Sequence, residues 1–304
     1  RKGLAREKGI VVPPVSVRDN LELEANDYRF LLRGRVVAKG QLMPGRWLAM
    51  NVSGSKVRLK GVPTREPVFN LEATWIDESE KKTAELNGFT VVDPASVLIT
   101  HLSETLKSSA HHLLGRQEVQ LLVDHLKQTQ PALIAELLPD LVTLGIIQRV
   151  FQNLLRENVA ILNQPLILEG IAEAAPHTSS VQALVEQVRV RLARQLCWAN
   201  RGEDGALPIV TMGPEWEQAF GDALIGPGED KQLALAPSRL QEFIKGVREA
   251  FERAALAGDA AVLLTSPQIR PYVRSIIERF RGQTVVMSQN EIHPKARLRT
   301  VGMV

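Results

Sequence analysis

Apolar positions in the first third of the chain recur in short alternating runs rather than at helical spacing. "DYRFLLRGRVVAKGQL" (27–42) alternates on either side of Gly34, which predicts two strands joined by a tight turn. Upstream, "RKGLAREKGI" (1–10) is basic and weakly amphipathic and stops at Gly9. The consecutive prolines of "VVPPVSVRDN" (11–20) predict an extended segment. Residues 43–67 are rich in Gly, Pro and Ser, with only short strand-like runs. "SEKKTAELNGF" (79–89) predicts a helix capped by Asp77 or Ser79 and stopped at Asn87-Gly88, and "FTVV" (89–92) predicts a strand. "DPASVLITHLSETLKSSAHHLL" (93–114) predicts one helix with Asp93 as N-cap and Pro94 at the first helical position.

After Gly115 the period changes. "RQEVQLLVDHLKQ" (116–128) sets Val119, Leu122, Val123 and Leu126 at helical spacing. Helical runs separated by Pro or Gly continue through "TLGIIQRVFQNLLRENV" (143–159) and "QPLILEGIAEAA" (164–175). "SVQALVEQVRVRLARQLCW" (180–198) carries Val181, Leu184, Val185, Val188, Leu192 and Leu196 on one side. Strand-like runs return with "LPIVTM" (207–212), followed by the loose stretch "GPGEDKQLALAP" (226–237) and the helix "SRLQEFIKGVREAFERAALAG" (238–258). "AAVLLT" (260–265), "SPQIRPYVRSIIERFRG" (266–282) and "TVVMS" (284–288) predict a strand–helix–strand crossover with Ser266 as the helix cap and Pro267 as the first helical residue.

Composition narrows the classes. With 304 residues, 44% of them hydrophobic and 23% charged, the chain is globular and long enough for two or more domains. Its 37 basic and 34 acidic residues are interspersed, and a net charge of +3 leaves no nucleic-acid footprint. The single cysteine, Cys197, excludes an internal disulfide framework and a Cys-rich zinc site, and points to a reducing compartment and a buried structural thiol. No apolar run reaches the ~18 residues that span a bilayer. The chain opens on Arg1 rather than Met, which predicts a piece of a longer polypeptide.

Motifs for chemistry are missing. His111 and His112 are adjacent, hence about 100° apart on a helix, and no metal-ligating spacing includes them or His101. Solvated or capping histidines are expected, with no metal and no cofactor. "NVSGSKVRLKG" (51–61) lacks the first glycine of a phosphate loop, and no nucleophile elbow occurs, so no enzyme is predicted. "LPDLVTLGIIQRVFQNLLREN" (138–158) has helix-turn-helix form, but Arg149 and Arg156 alone are too few cations for a recognition helix.

Five stretches, "PGRWLAMN" (44–51), "EPVFNLEATWI" (66–76), "GFTVVDPASVLITHL" (88–102), "LLGRQEVQLLVDHL" (113–126) and "VFQNLLRENVAI" (150–161), resemble one family over the chain's full length. They are similar to the cytoplasmic half of the FlhA family, the export-gate proteins of bacterial type III secretion. "PPVSVRDNLEL" (13–23) resembles the flagellar branch more than the injectisome branch. The resemblance implies a mixed α+β and α/β fold of four small subdomains. The first would comprise 1–44 and 94–113, with 1–10 ending a linker from a membrane-spanning region. The second, 45–93, is inserted in it; a helical third covers 114–198 and an α/β fourth 199–304. It further implies a docking platform at the cytoplasmic face of the bacterial inner membrane. Its partners would be export chaperone–substrate complexes, the export ATPase complex and other gate proteins, and further copies of the chain in a ring, nine-fold in the family. No nucleic-acid partner is implied.

The loop "REPVFNLEATWI" (65–76) sharpens this expectation. A large aromatic, Phe69, in a loop that carries Pro63 and Pro67 is either a plug in a core or a contact for a partner. The resemblance implies the second, placing Glu66, Phe69 and Thr100 around an apolar dimple that receives chaperones, with Met50 on the same wall. Glu66 stands where some relatives have Asp. Asn70 replaces a usual Gly, and Asn tolerates positive φ. Two other readings are a helix-turn-helix nucleic-acid binder and a scaffold module of another membrane complex.

Overall fold

The computed structural model describes residues 7–10, 12, 14–229 and 231–304, and the chain divides into two compact units, 1–113 and 114–304. The basic stretch 1–6 lies outside the described residues.

The first unit contains a hairpin and a sheet. Strands β1 (Asp27–Leu32) and β2 (Arg35–Gln41) pair antiparallel, as their alternation predicts. Both turn residues, Arg33 (φ 51°) and Gly34 (φ 80°), take the left-handed backbone that a two-residue hairpin turn demands. Strands β3 (Trp47–Met50), β4 (Gly61–Arg65), β5 (Glu72–Ile76) and β6 (Thr90–Val92) form an antiparallel sheet in the order β4-β5-β3-β6. Period-two alternation gives this sheet two apolar faces. Leu48, Ala73 and Trp75 pack with Val97 on one; Ala49 and Ile76 pack with Ala84 and Phe89 on the other. Asp77 precedes a 3₁₀ turn (Glu78–Glu80) that leads into α1 (Lys81–Leu86) without a side-chain cap bond.

Helix α2 (Pro94–Ser108) starts as predicted, with the Asp93 carboxylate accepting from the Ser96 backbone and hydroxyl. It does not run on to Leu114. The chain turns at Ser109, whose carbonyl accepts from His112 N–H at 2.9 Å, and resumes as α3 (Ala110–Leu113). This kink buries Ala110 and Leu113, which a straight continuation at that spacing does not require.

In the second unit, helices α4 (Arg116–Thr129), α5 (Pro131–Leu137), α6 (Leu144–Arg156), α7 (Gln164–Ala174), α8 (Val181–Arg191) and α9 (Ala193–Ala199) form a helical block. The single helix expected over 180–198 breaks at Leu192, which is itself buried. Strands β7 (Leu207–Thr211), β10 (Val262–Thr265), β11 (Val286–Ser288) and β12 (Leu298–Met303) follow as a parallel sheet in the order β11-β10-β7-β12. β7 is buried at four of its five positions, as a central parallel strand is. Helices α10 (Pro214–Asp222), α11 (Pro237–Leu256) and α12 (Arg270–Phe280) contribute Phe220, Phe243, Val247 and Val273 to its core. The loose stretch after α10 holds a two-residue ladder, β8 (Leu224–Ile225) with β9 (Gln232–Leu233).

The crossover helix corrects one expectation. α12 begins at Arg270, with Pro271 in its first turn, and Ser266 is no side-chain cap. Residues 267–269 form a turn that buries Ile269, and the Ser266 N–H donates to Glu217 Oε1 at 2.9 Å. Pro267 therefore shapes a turn, and Pro271 the helix start.

A buried charge cluster ties the helical block to the α/β sheet. Arg189 (α8) and Arg270 (α12), each 1% exposed, both donate to the Val286 carbonyl at 3.2 Å. Glu291, fully buried, receives Arg189 Nε and Nη2 at 2.9 Å each. Glu157 accepts from Arg189 at 3.0 Å and Arg270 at 2.7 Å, and Glu186 pairs with Arg270. Burial alone would raise the Glu157 carboxyl, but the two guanidiniums outweigh it and hold it at about 2.

Removing one partner leaves buried charge uncompensated, so Glu291→Gln should cost ~3–5 kcal/mol in chemical denaturation. Arg189→Met combined with Glu291→Leu should recover much of that loss. A Glu291→Gln loss below about 1 kcal/mol would contradict the assignment of this cluster as a structural tie. The depressed Glu157 carboxyl sets a pH window: its contribution is complete above its ordinary 4.5 and vanishes as pH falls to about 2. The denaturation midpoint should accordingly be insensitive to this group at neutral pH and fall across that window, less steeply in Glu157→Gln.

Candidate functional site

The loop between β4 and β5 is built around one carboxylate. Glu66 is 6% exposed, and its two oxygens accept the backbone N–H groups of Val68 at 2.8 Å and Phe69 at 2.7 Å. Pro67 has no N–H, so these are the next two donors along the chain. The geometry is that of a helix N-cap, applied to a turn. Glu66 N–H donates to Leu71 O at 2.9 Å, Asn70 N–H to Glu66 O at 3.0 Å, and Arg65 Nη1 to Asn70 O at 2.8 Å. Asn70 takes φ 57°, the left-handed conformation its side chain tolerates.

This framework leaves Phe69 69% exposed, which excludes the core plug. Among the described residues no ring contact engages the phenyl group. The hydrogen-bonded turn fixes the backbone at Phe69 with its side chain outward. Thr100 is exposed on α2, beside Ile99 at 63%. Met50, half-buried on β3, packs against the cluster containing Val97, three residues before Thr100 on the same helix. Met50 is thus linked to α2 through its core contact. Phe69 and Thr100 share the first unit but are joined by no hydrogen bond in the structure.

Beneath the loop lies a polar set that the sequence did not reveal. His101 is 6% exposed, and its Nδ1 lies 2.7 Å from the Tyr28 hydroxyl of β1. The rings of Tyr28 and Phe30 stand 5.7 and 5.2 Å from the imidazole. Burial lowers the His101 pKa, opposed by the negative charge of Glu66. Burial and the same charge push the Tyr28 hydroxyl up to about 12. The expectation of solvated histidines therefore fails at His101: helical position 101 follows the exposed Thr100 but turns inward, where Tyr28 satisfies it. No spacing rule links residue 101 to residue 28, so only the fold could disclose the pair.

The parallel sheet carries no comparable site. Its strands follow the order 3-2-1-4 in sequence, which puts a topological switch point beside the carboxyl end of β7, where such sheets hold ligands. Here Gly213 N–H donates to the Val304 carbonyl at 2.9 Å, and Glu215 and Glu217 occupy the first turn of α10. Carboxylates stand where an anionic ligand would be cradled.

Comparison with known proteins decides the family. The FHIPEP family model matches residues 1–297. The chain belongs to the FHIPEP family. The flagellar biosynthesis protein FlhA of Caulobacter vibrioides is 60% identical over 304 residues, covering 100% of this chain and 43% of that protein. Among solved structures, the CdsV protein of Chlamydia pneumoniae superposes with a TM-score of 0.87 at 28% identity, covering 100% of this chain and 88% of that one. A complex of CdsV with CdsO gives 0.84 at 28% identity, with 99% and 87% covered. The nonameric EPEC SctV-C shares the fold, with a TM-score of 0.80 at 22% identity and 100% and 91% coverage. The closer match to flagellar FlhA agrees with the branch expected from residues 13–23. As an FHIPEP member this chain spans less than half the length of the FlhA relative.

Two measurements test the brace. The chain has two tyrosines, so ultraviolet titration should show one phenolate appearing only near pH 12, absent in Tyr28→Phe. Glu66→Ala should speed amide exchange at Val68 and Phe69 by tenfold or more, about 1.4 kcal/mol of local opening, within the ~1–3 kcal/mol expected for losing a buried acceptor. Unchanged exchange at both amides would show that the carboxylate does not hold the loop.

Proposed function

We propose that the chain is the cytoplasmic docking platform of a flagellar type III export gate, binding chaperone–substrate complexes at Phe69. The observation that carries this reading is a large apolar side chain held 69% exposed by a buried carboxylate. Rigid aromatic anchors of this kind lose little entropy on binding and supply a large share of interface energy. Thr100 and Ile99 extend the surface on α2, and Met50 gives it a flexible thioether wall able to fit several partners. Glu66, although counted with the contact residues by resemblance, acts by positioning Phe69.

The reading extends to assembly. The complex of CdsV with CdsO supports binding of a further protein partner, for which the export ATPase complex and other gate proteins are the candidates, and the nonameric SctV-C, which shares the fold, fits a ring of chains. In the longer FlhA protein the remaining length would carry the membrane region, placing this chain at the inner face of the bacterial membrane. Among the described residues no helix is long and apolar enough to cross a bilayer. The chain on this view catalyses nothing, and energy for export comes from other components.

Phe69→Ala should weaken binding of a purified export chaperone–substrate complex by ~2 kcal/mol, about thirtyfold, with the thermal midpoint within about 1 °C of wild type. Unchanged affinity, or a melting loss of several degrees, rejects the docking role. Head-to-tail ring contacts need two different surfaces on each chain. The isolated chain should sediment as a monomer at micromolar concentration, with larger species only at high concentration or low salt. A stable, salt-independent two-fold dimer would contradict ring assembly.

A further inference from the structure

Where α9 ends against the loop before β12, three cations converge on one small cleft. It holds about 80 Å³ and is lined by Trp198, Arg201, Lys295 and Arg297, with Cys197 and Leu207 at its base. These residues come from three separate stretches, 197–201, 205–207 and 295–297. Arg201, Lys295 and Arg297 are exposed, and among the described residues none forms an ion pair. The neighbouring acids bond other groups, although the Asp204 charge also reaches Arg297. Asp204 accepts from Arg299 at 3.1 Å and from the Ala206 N–H at 3.0 Å; Asp259 holds the other face of Arg299; Glu291 is taken up by Arg189. Glu203 is exposed on the adjoining loop and does not line the cleft. Cys197 adds no negative charge, since burial pushes its thiol up.

One wall is aromatic. The Trp198 indole is half-buried, meets the His293 ring edge-on at 5.3 Å and lies 5.6 Å from the Arg194 guanidinium. Solvated cations scattered on a surface are ordinary. Cations gathered from two separate stretches around a concavity, Arg201 from one and Lys295 and Arg297 from the other, raise the local positive potential, which a bound anion relieves. The volume suits one or two carboxylates rather than a run of phosphodiesters, and forked guanidiniums match carboxylate geometry. The interspersed charges elsewhere, 37 basic against 34 acidic, form no stripe for a polyanion to follow.

We propose that this cleft is a binding site for an acidic peptide segment of a partner protein, which seats a carboxylate among Arg201, Lys295 and Arg297 and lays its neighbouring side chain on Trp198. The proposal uses a surface in the second unit, so it stands or falls independently of Phe69.

The test uses fluorescein-labelled hexaglutamate and anisotropy at about 50 and about 300 mM salt, which shortens the screening length about twofold. Binding should weaken with salt, and Arg201→Glu with Arg297→Glu should weaken it by about tenfold or more. Arg58→Glu with Lys60→Glu, a reversal of equal charge in the first unit, should change it less than about twofold. All four positions are at or near the surface, and thermal melts confirm that each variant is folded. Equal losses from the two double variants, or none from the first, overturn the proposal. So does a single-stranded oligonucleotide or a phosphatidylserine vesicle that binds through Arg201 and Arg297 when hexaglutamate does not.

Discussion

Two guanidiniums meeting at the carbonyl of Val286 govern the second unit. Arg189 comes from the helical block and Arg270 from the sheet's crossover helix, and neither has water to screen it. Side by side they repel, so the arrangement exists only because Glu157, Glu186 and Glu291 surround them with bonded carboxylates. Apolar packing is tolerant of small slides, whereas bidentate ion pairs are satisfied at one separation and one angle. The cluster therefore sets the register of helices on sheet, and the neighbouring helix α9 inherits it through the Cys197 thiol and the Glu291 carbonyl, 3.5 Å apart.

In the first unit a single carboxylate has a parallel task on a smaller scale. Glu66 organises the six-residue turn 66–71 from inside and leaves the aromatic on the outside. Its negative charge also reaches Tyr28 and His101, so loop, hairpin and helix share one electrostatic environment. Bracing and exposure are thus separated between nearby residues: the Glu66 carboxylate is buried and hydrogen-bonded, while the Phe69 side chain it positions through the Phe69 N–H stays exposed.

Much of this was legible in the residues, and the limits have physical causes. Local rules located the hairpin, because Gly34 and the alternation around it act over a few residues. They located the N-cap at Asp93 and the parallel crossover of 262–288 for the same reason. The kink at Ser109 and the break at Leu192 were missed since helical periodicity continues through both; tertiary burial of Ala110, Leu113 and Leu192 decides them. Ser266-Pro267 mimicked a helix start, yet a second proline at 271 competes for that role and prevails. At the site, Phe69 stands out as an aromatic two residues after Pro67, but whether it faces inward or outward is not written in the sequence. Arg189 and Arg270 were invisible because they sit among ordinary charged positions of amphipathic helices, and their partners lie 102 and 113 residues away.

The separation of Glu66 from Phe69 has a consequence for how such a surface can change over time. A contact residue embedded in a core can be exchanged only within the narrow set of shapes that keeps the protein folded. Phe69, 69% exposed, makes almost no demand on the fold, so on the proposed docking role its replacement by a smaller, larger or polar side chain would leave a folded protein with altered partner preference. Under the same proposal, partner choice could be explored one residue at a time through intermediates that all remain folded, because the carboxylate that shapes the loop is a different residue from the one it exposes.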